Sequence, residues 1–192
     1  MALLASLFAA ALLLCLGTSL VLLGSAETTL AAHDLQAQAA GHAAQAALSL
    51  AASDLRERSS WTGVVLGSDV CAAPGRFVDL SLQPPAPWDG STLDLHALTA
   101  RRQADGDAVA PAGVTPPVWR LFEYGPISRL VPSEPRRHPY YVVVWAADGR
   151  EGTVRLYASA LGPAGTASSL EASVARRPDG TSLVRLAIRA VR

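Results

Sequence analysis

The stretch LVLLGSAETTLAAHD, Leu20 to Asp34, decides how this chain is organised, because an uncharged apolar run meets its first charge there, at Glu27. A signal peptide would be cut near Gly24-Ser25-Ala26, where Gly24 and Ala26 fit a small-x-small cleavage site. Alternatively, one helix leaves a membrane here and simply continues. The first outcome releases a soluble secreted domain, whereas the second anchors the domain that follows.

The segment before Glu27 favours the second outcome. Residues 1–26 carry no charged side chain. At about 1.5 Å per residue a helix of this length covers roughly 39 Å, whereas about 20 apolar residues span a hydrocarbon core of about 30 Å. A secretory signal also needs a basic n-region, and no arginine precedes Arg56. We therefore predict that residues 1–26 are retained as a transmembrane half-helix.

Residues 27–60 are predicted to be an amphipathic continuation of the same helix. Alanine and leucine recur there at helical spacing, with glutamine, histidine and aspartate between them. All 13 prolines lie at or after Pro74, so none of them breaks a helix before about Arg58. The alanine-rich side of this helix, from about Leu35 to Leu55, is expected to cover a sheet.

Residues 61–192 are predicted to form an extracytoplasmic domain built on an antiparallel β-sheet. Apolar and polar residues alternate in the later segments, and Gly, Pro and Asp stand between them. Leu93–Ala104 is open between a short helix and a loop, and Ala104–Pro117 is expected to be loop. Short connections favour a meander of about four strands, and the fold class is α+β. The expected strands are Arg76–Gln83, Trp119–Tyr124, Tyr140–Ala147, Thr153–Leu161, Ser168–Arg177 and Ser182–Val191.

Two of these strands have a clear two-sided pattern. In the fourth, Arg155, Tyr157 and Ser159 oppose an apolar face; in the last, Arg185 and Arg189 do so. The predicted apolar faces are Val154, Leu156, Ala158 and Ala160, and then Val184, Leu186, Ile188 and Ala190.

The sequence predicts no catalytic, cofactor or metal site, and no enzyme. It contains neither a glycine-rich phosphate loop before a helix nor a G-x-S-x-G elbow. Asp105-Gly106-Asp107 lacks the distal ligands of a calcium loop and is expected to be an ordinary polar loop. With a net charge of +0, the chain has no basic excess for nucleic acid. The scattered histidines are His33, His42, His96 and His138; the cysteines, expected to be unpaired, are Cys15 and Cys71.

Six aromatic residues could in principle build a ligand platform. Packing in the core and at the sheet edge is the favoured interpretation. These residues are Trp119, Phe122, Tyr124, Tyr140, Tyr141 and Trp145.

The segment ALLLCLGTSLVLLGSAETTLAAHDLQAQAAGHAAQAALSLAASDL, residues 11–55, resembles the N-terminal region of PilX-type minor pilins and pilus-assembly proteins. The blocks PVWRLFEYG, YYVVVWAAD, RLYASALGP and SLEASVARR resemble the C-terminal part of one bacterial branch of those proteins. The resemblance implies a type IV pilin-like fold and a single-pass protein of the bacterial inner membrane with a periplasmic domain, found in a surface filament after assembly. It also implies three partners: other pilin-like subunits through the N-terminal helix, inner-membrane lipid, and the pilus-assembly machinery.

Residue 5 refines the expected role. Major pilins place a glutamate at this position of the mature chain, whereas Ala5 stands here, which favours a minor subunit in a tip or priming position of a pilus or secretion pseudopilus. Pilin-like proteins usually carry a short basic leader, and Met1 is expected to match the first residue after its removal. The alternative function is a single-pass anchored extracytoplasmic binding or sensor domain that does not assemble.

Overall fold

The computed structural model describes residues 2–67, 77–79, 81–110, 113–130, 139–149, 152–176 and 182–191, with the backbone alone for Ala5, Arg176 and residues 182–191. These residues belong to two compact units, Met1–Gln38 and Ala39–Arg192. The elements in chain order are helices α1 (Ala2–Glu57), α2 (Thr62–Leu66) and α3 (Leu95–Val109), then strands β1 (Arg120–Pro126), β2 (Tyr141–Asp148), β3 (Thr153–Leu161), β4 (Ala167–Arg176) and β5 (Ser182–Val191).

Helix α1 is uninterrupted from Ala2 to Glu57, which confirms the prediction of one helix running past Glu27. It ends three residues before the predicted boundary at residue 60. The last carbonyls of a helix lack partners within it. Here the indole Nε1 of Trp61 donates a 2.7 Å hydrogen bond to the carbonyl of Leu55. The Arg58 guanidinium reaches back to Asp54 at 2.7 Å. These contacts stabilise the end of the helix.

The sheet is an antiparallel meander in the order β1-β2-β3-β4-β5, with five strands rather than about four. Five of the six predicted strands are confirmed to within two residues at the ends that the structure describes. The exception is Arg76–Gln83, of which Arg76 and Leu80 lie outside the described residues. Val78 there makes one isolated parallel bridge with Tyr124. Further along, the carbonyl of Leu82 accepts from Leu95 N at the start of α3 instead of from a strand of the sheet.

The second unit has two cores, one on each face of the sheet. The first lies between the sheet and helices α1 and α2. Val154, Leu156, Ala158 and Ala160 all point into it, which confirms the predicted apolar face of β3. Leu35 is 67% exposed, so the buried side of α1 begins near Ala40 rather than at Leu35. The helix residues in this core are Ala40, Ala43, Ala44, Ala47, Leu48, Ala51, Ala52 and Leu55.

The second core is covered by α3, which the sequence left ambiguous. The expected loop from Ala104 to Pro117 is wrong over its first part, because α3 continues to Val109. The Gln103 side chain explains this extension: its Nε2 donates to Pro117 O at 3.1 Å, and its Oε1 accepts from Trp119 N at 2.9 Å. With both faces covered, every residue of β2 from Tyr141 to Ala147 is buried.

The start of α3 provides a small-effect prediction. Asp94 is its N-cap, and the carboxylate accepts a 2.9 Å hydrogen bond from Ala97 N. Asp94→Ala should lower the free energy of unfolding by about 1 kcal/mol, because an orphan N–H of the first turn loses its acceptor. Chemical denaturation of the full chain in detergent measures this loss. Asp105→Ala, an exposed aspartate on the same helix, is the control, and an equal loss in both variants would contradict the capping role.

Candidate functional site

The first candidate surface is the apolar segment, residues 3–23 of α1. An 18-residue window of this helix has a mean hydropathy of 2.4, and the helix is long and apolar enough to cross a membrane. Its large side chains are all exposed within the chain. They are Leu3, Leu4, Leu7, Phe8, Leu12, Leu13, Leu14, Leu16, Leu20, Val21, Leu22 and Leu23.

The hydroxyl groups in this segment are compatible with an apolar environment, because each donates a hydrogen bond within the helix. Thr18 Oγ1 donates to the carbonyl of Leu14 at 3.0 Å, and Ser19 Oγ donates to the carbonyl of Cys15 at 2.8 Å. The Ser6 hydroxyl likewise donates to the carbonyl of Leu3 at 2.9 Å. Because each proton is bonded within the helix, no donor is left unsatisfied when lipid or another helix surrounds it.

The second candidate is a buried carboxyl in the second unit, placed there by a β-bulge. In the β1–β2 register Leu121 opposes Trp145 and Glu123 opposes Val144, so Phe122 is the extra residue. Strict alternation would put Phe122 and Glu123 on opposite faces of the sheet. The bulge instead allows both to face α1: Phe122 packs in the first core, and Glu123 borders a cavity beside the helix.

This cavity, the Glu123 pocket, has a volume of about 350 Å³. Glu123 itself is 2% exposed, and its Oε2 has no hydrogen-bond partner among the described residues. Burial raises the pKa of this carboxyl to about 8; the nearby Asp54 charge adds to the rise, and Arg58 opposes it. The carboxyl is therefore mainly protonated at neutral pH. The pocket is lined by Leu50, Ser53, Asp54, Glu57, Phe77, Glu123, Arg129 and Leu130.

The arginines near the Glu123 pocket already have carboxylate partners. Arg58 pairs with Asp54 at 2.7 Å and lies 5.3 Å from the centre of the Phe122 ring. Arg129 contacts Asp79 at 3.2 Å. Glu57, at the exposed rim, makes no ion pair within the described part of the chain. The pocket therefore has an excess of carboxyl groups over cations that are free to neutralise them.

The aromatic residues form core structure, as predicted. All six are buried, and Trp145 Nε1 donates to Thr99 Oγ1 at 2.9 Å. On the α3 side the guanidinium of Arg102 lies 4.4 Å from the ring centre of Trp119 and 4.0 Å from that of Tyr157. The protein's own cation thus covers one ring of that set, Trp119, together with Tyr157.

The remaining polar residues singled out from the sequence are dispersed. His33, His42 and His96 are exposed on helices, and His138 lies outside the described residues. Asp105-Gly106-Asp107 is part of α3, which corrects the expected polar loop. Cys15 is exposed on α1, whereas Cys71 lies outside the described residues. In the described part of the chain no group of three or more His, Cys, Asp or Glu side chains is arranged to hold a metal ion.

Comparison with known proteins adds no family: no family model, curated protein or solved structure matches this chain. The sequence predicts the apolar segment but not the buried position of Glu123. The only signal was one acid in an otherwise aromatic and apolar strand, LFEYG. That signal is weak, because a shift of one residue in the strand register moves the acid from one face of the sheet to the other. The sequence alone therefore does not say which face it occupies.

Proposed function

We propose that this chain is a structural minor pilin or pseudopilin-like subunit of a type IV pilus or related secretion filament, in a tip or priming position. Its N-terminal helix anchors it in the bacterial inner membrane, and its C-terminal domain is periplasmic. The observation that carries the proposal is a contrast within α1. The twelve large apolar side chains of residues 3–23 are exposed, whereas Leu48 and Leu55 are buried in the first core.

The exposed apolar side chains of residues 3–23 require an apolar partner. Burying one large aliphatic or aromatic side chain is worth about 1.5–3 kcal/mol, so twelve in water would carry a large free-energy cost. Lipid removes that cost before assembly, and equivalent helices of other pilin-like subunits remove it within a filament. Apolar burial is non-directional, which allows the same surface to serve both states while the assembly machinery moves the subunit between them.

The tip or priming position is inferred from the lack of any acidic side chain in residues 1–26. A carboxylate buried in an apolar helix bundle needs a cationic partner to offset its desolvation. In major pilins that partner is the N-terminal amine of another subunit, but the apolar segment here has no carboxylate to offer. A subunit without this pair does not depend on docking against a preceding one, and this suits the first position in a filament.

We expect few copies of the protein per filament. Deleting it should reduce the number of filaments without thinning their shafts, and Ala5→Glu should not improve assembly because the subunit would then carry a buried charge that its position does not pair. Quantitative mass spectrometry of sheared filaments measures the copy number, and the major subunit provides the internal reference. Dominance of this protein by copy number would contradict the tip position, and its absence from filaments would contradict the pilin-like function.

A second candidate function is a membrane-anchored binding or sensor domain that does not assemble. The Glu123 pocket favours it, because a cavity of about 350 Å³ with a buried carboxyl is suited to a small ligand. Ligand binding by a protein that is absent from sheared filaments would support this alternative over the first proposal.

A further inference from the structure

The Glu123 pocket combines one polar end with apolar walls. Its buried end is the Glu123 carboxyl, whose Oε2 is unpartnered among the described residues. Leu50, Phe77 and Leu130 supply apolar surface, and Glu57 stands at the exposed rim. A polar atom that is nine-tenths buried is ordinarily hydrogen-bonded. The geometry leaves room for a ligand group to make that bond.

We propose that the Glu123 pocket binds an organic cation, namely an ammonium or guanidinium group on a short aliphatic stem. The N–H groups of the cation donate to Glu123 at the buried end, and Ser53 Oγ, which also lines the pocket, offers a further acceptor. The stem packs between Leu50 and Leu130, and Glu57 adds attraction at the rim. This inference does not depend on whether the protein assembles into a filament.

The charged groups around the cavity argue against an anionic ligand. Asp54, Glu57 and Glu123 all line it, while Arg58 and Arg129 are engaged by Asp54 and Asp79. An anion would have to displace one of these pairs and would then lie beside the three carboxyl groups that line the pocket. A cation instead adds an ionic hydrogen bond to a buried acceptor, the strongest type available in such a site. An inner-sphere metal site has no support, because the described residues offer no cluster of ligating side chains.

Binding should release a proton. The pKa of Glu123 is raised to about 8, chiefly by burial, so the carboxyl is mostly neutral at pH 7 in the free protein. The charged groups facing it are Asp54, Glu57 and Arg58 from α1 and Arg129 from the turn after β1. A bound cation favours the ionised carboxyl, so its proton passes to solvent. Between the lower pKa of the bound form and the pKa of about 8 in the free protein, the affinity then rises with pH by up to about tenfold per unit, and above pH 8 it levels off.

The cation could belong to a free amine or to a lysine or arginine side chain of another protein. Both present the same group, and the experiment separates them. Isothermal titration of the full chain in non-ionic detergent with n-butylammonium and n-butylguanidinium tests the free form. Titration with acetyl-Ala-Lys-Ala-amide and acetyl-Ala-Arg-Ala-amide tests the side-chain form. Tighter binding of a peptide than of its free counterpart assigns the site to a protein partner, and the reverse assigns it to a free amine.

The expected result is saturable binding that tightens about tenfold from pH 6 to pH 7, with a heat that varies with the ionisation enthalpy of the buffer. Glu123→Gln keeps the side-chain shape but should weaken binding at least tenfold at pH 8 and abolish the pH dependence. Glu57→Gln, an exposed substitution with little risk to folding, should weaken binding by about threefold. Asp105→Asn, an exposed acid outside the pocket, is the matched control and should bind as the original chain does.

Two results would overturn the proposal. One is the lack of saturable binding of all four probes to the folded chain between pH 6 and 8. The other is binding whose affinity is unaffected by both pH and Glu57→Gln, which would place the probe elsewhere even if Glu123→Gln failed to fold. Copy number in filaments is not altered by either result, so this proposal and the pilin-like function fail independently.

Discussion

Leu48→Asp is expected to abolish folding of the second unit in the full chain. Leu48 is 1% exposed and lies in the first core, on the side of α1 that packs on the sheet. Truncating a buried leucine to alanine already costs about 2–5 kcal/mol, and aspartate adds an unpaired carboxylate in the same apolar space. Whole domains are stable by only about 5–15 kcal/mol, so this one substitution is comparable with the total.

The matched control is Leu35→Asp, the same chemical change on the same helix at an exposed position. It should leave the near-ultraviolet circular dichroism of the buried Trp61, Trp119 and Trp145 unchanged, whereas Leu48→Asp should remove that signal. Leu48→Met, which keeps the volume, should retain it. A native tryptophan signal in Leu48→Asp would mean that this side of α1 is not the one that covers the sheet.

The sequence predicted the strands well because one periodicity governs them. Along β3 the apolar residues recur at every second position, and the structure buries Val154, Leu156, Ala158 and Ala160 together. The long helix followed from the lack of proline before Pro74 and from alanine at helical spacing. These signals are local, so a single sequence is sufficient to detect them.

The sequence-based predictions are wrong or incomplete where a contact between residues distant in sequence determines the local structure. Asp105, Gly106 and Asp107 are weak helix formers, yet α3 continues through them. The hydrogen bonds of Gln103 to Pro117 and Trp119, residues far along the chain, hold that end of the helix. The buried position of Glu123 likewise depends on a bulge at Phe122, where β1 has one residue more than its partner β2. No short-range pattern in LFEYG predicts that insertion.

Sequence and structure agree that the apolar segment is exposed within the chain. Neither of them identifies what surrounds it. The sequence offers no charge before Glu27, and the structure leaves the large side chains of residues 3–23 uncovered. A cleaved signal peptide would also be apolar, but the helix does not end or break near Gly24–Ala26. Retention of the segment in the mature protein stays a prediction, which the next variants and N-terminal sequencing test.

The double variant Leu13→Arg with Leu16→Arg should release the protein from membranes. Both positions lie near the middle of the apolar segment. Exchanging leucine for arginine at the centre of a spanning helix costs about 3–4 kcal/mol on the insertion scale, so the pair costs about 6–8 kcal/mol. After an alkaline carbonate wash the original chain should sediment with membranes, whereas the double variant should be found in the soluble fraction or be degraded.

Leu30→Arg with Leu35→Arg is the matched control, since it makes the same two exchanges on exposed positions of the same helix beyond Glu27. It should remain in the membrane fraction, because those residues lie outside the uncharged segment and need not enter the hydrocarbon core. Equal behaviour of the two double variants would remove the reason to treat residues 3–23 as the anchor. N-terminal sequencing that began at Glu27 would contradict retention outright, and the exposed leucines would then belong to a segment that the mature protein discards.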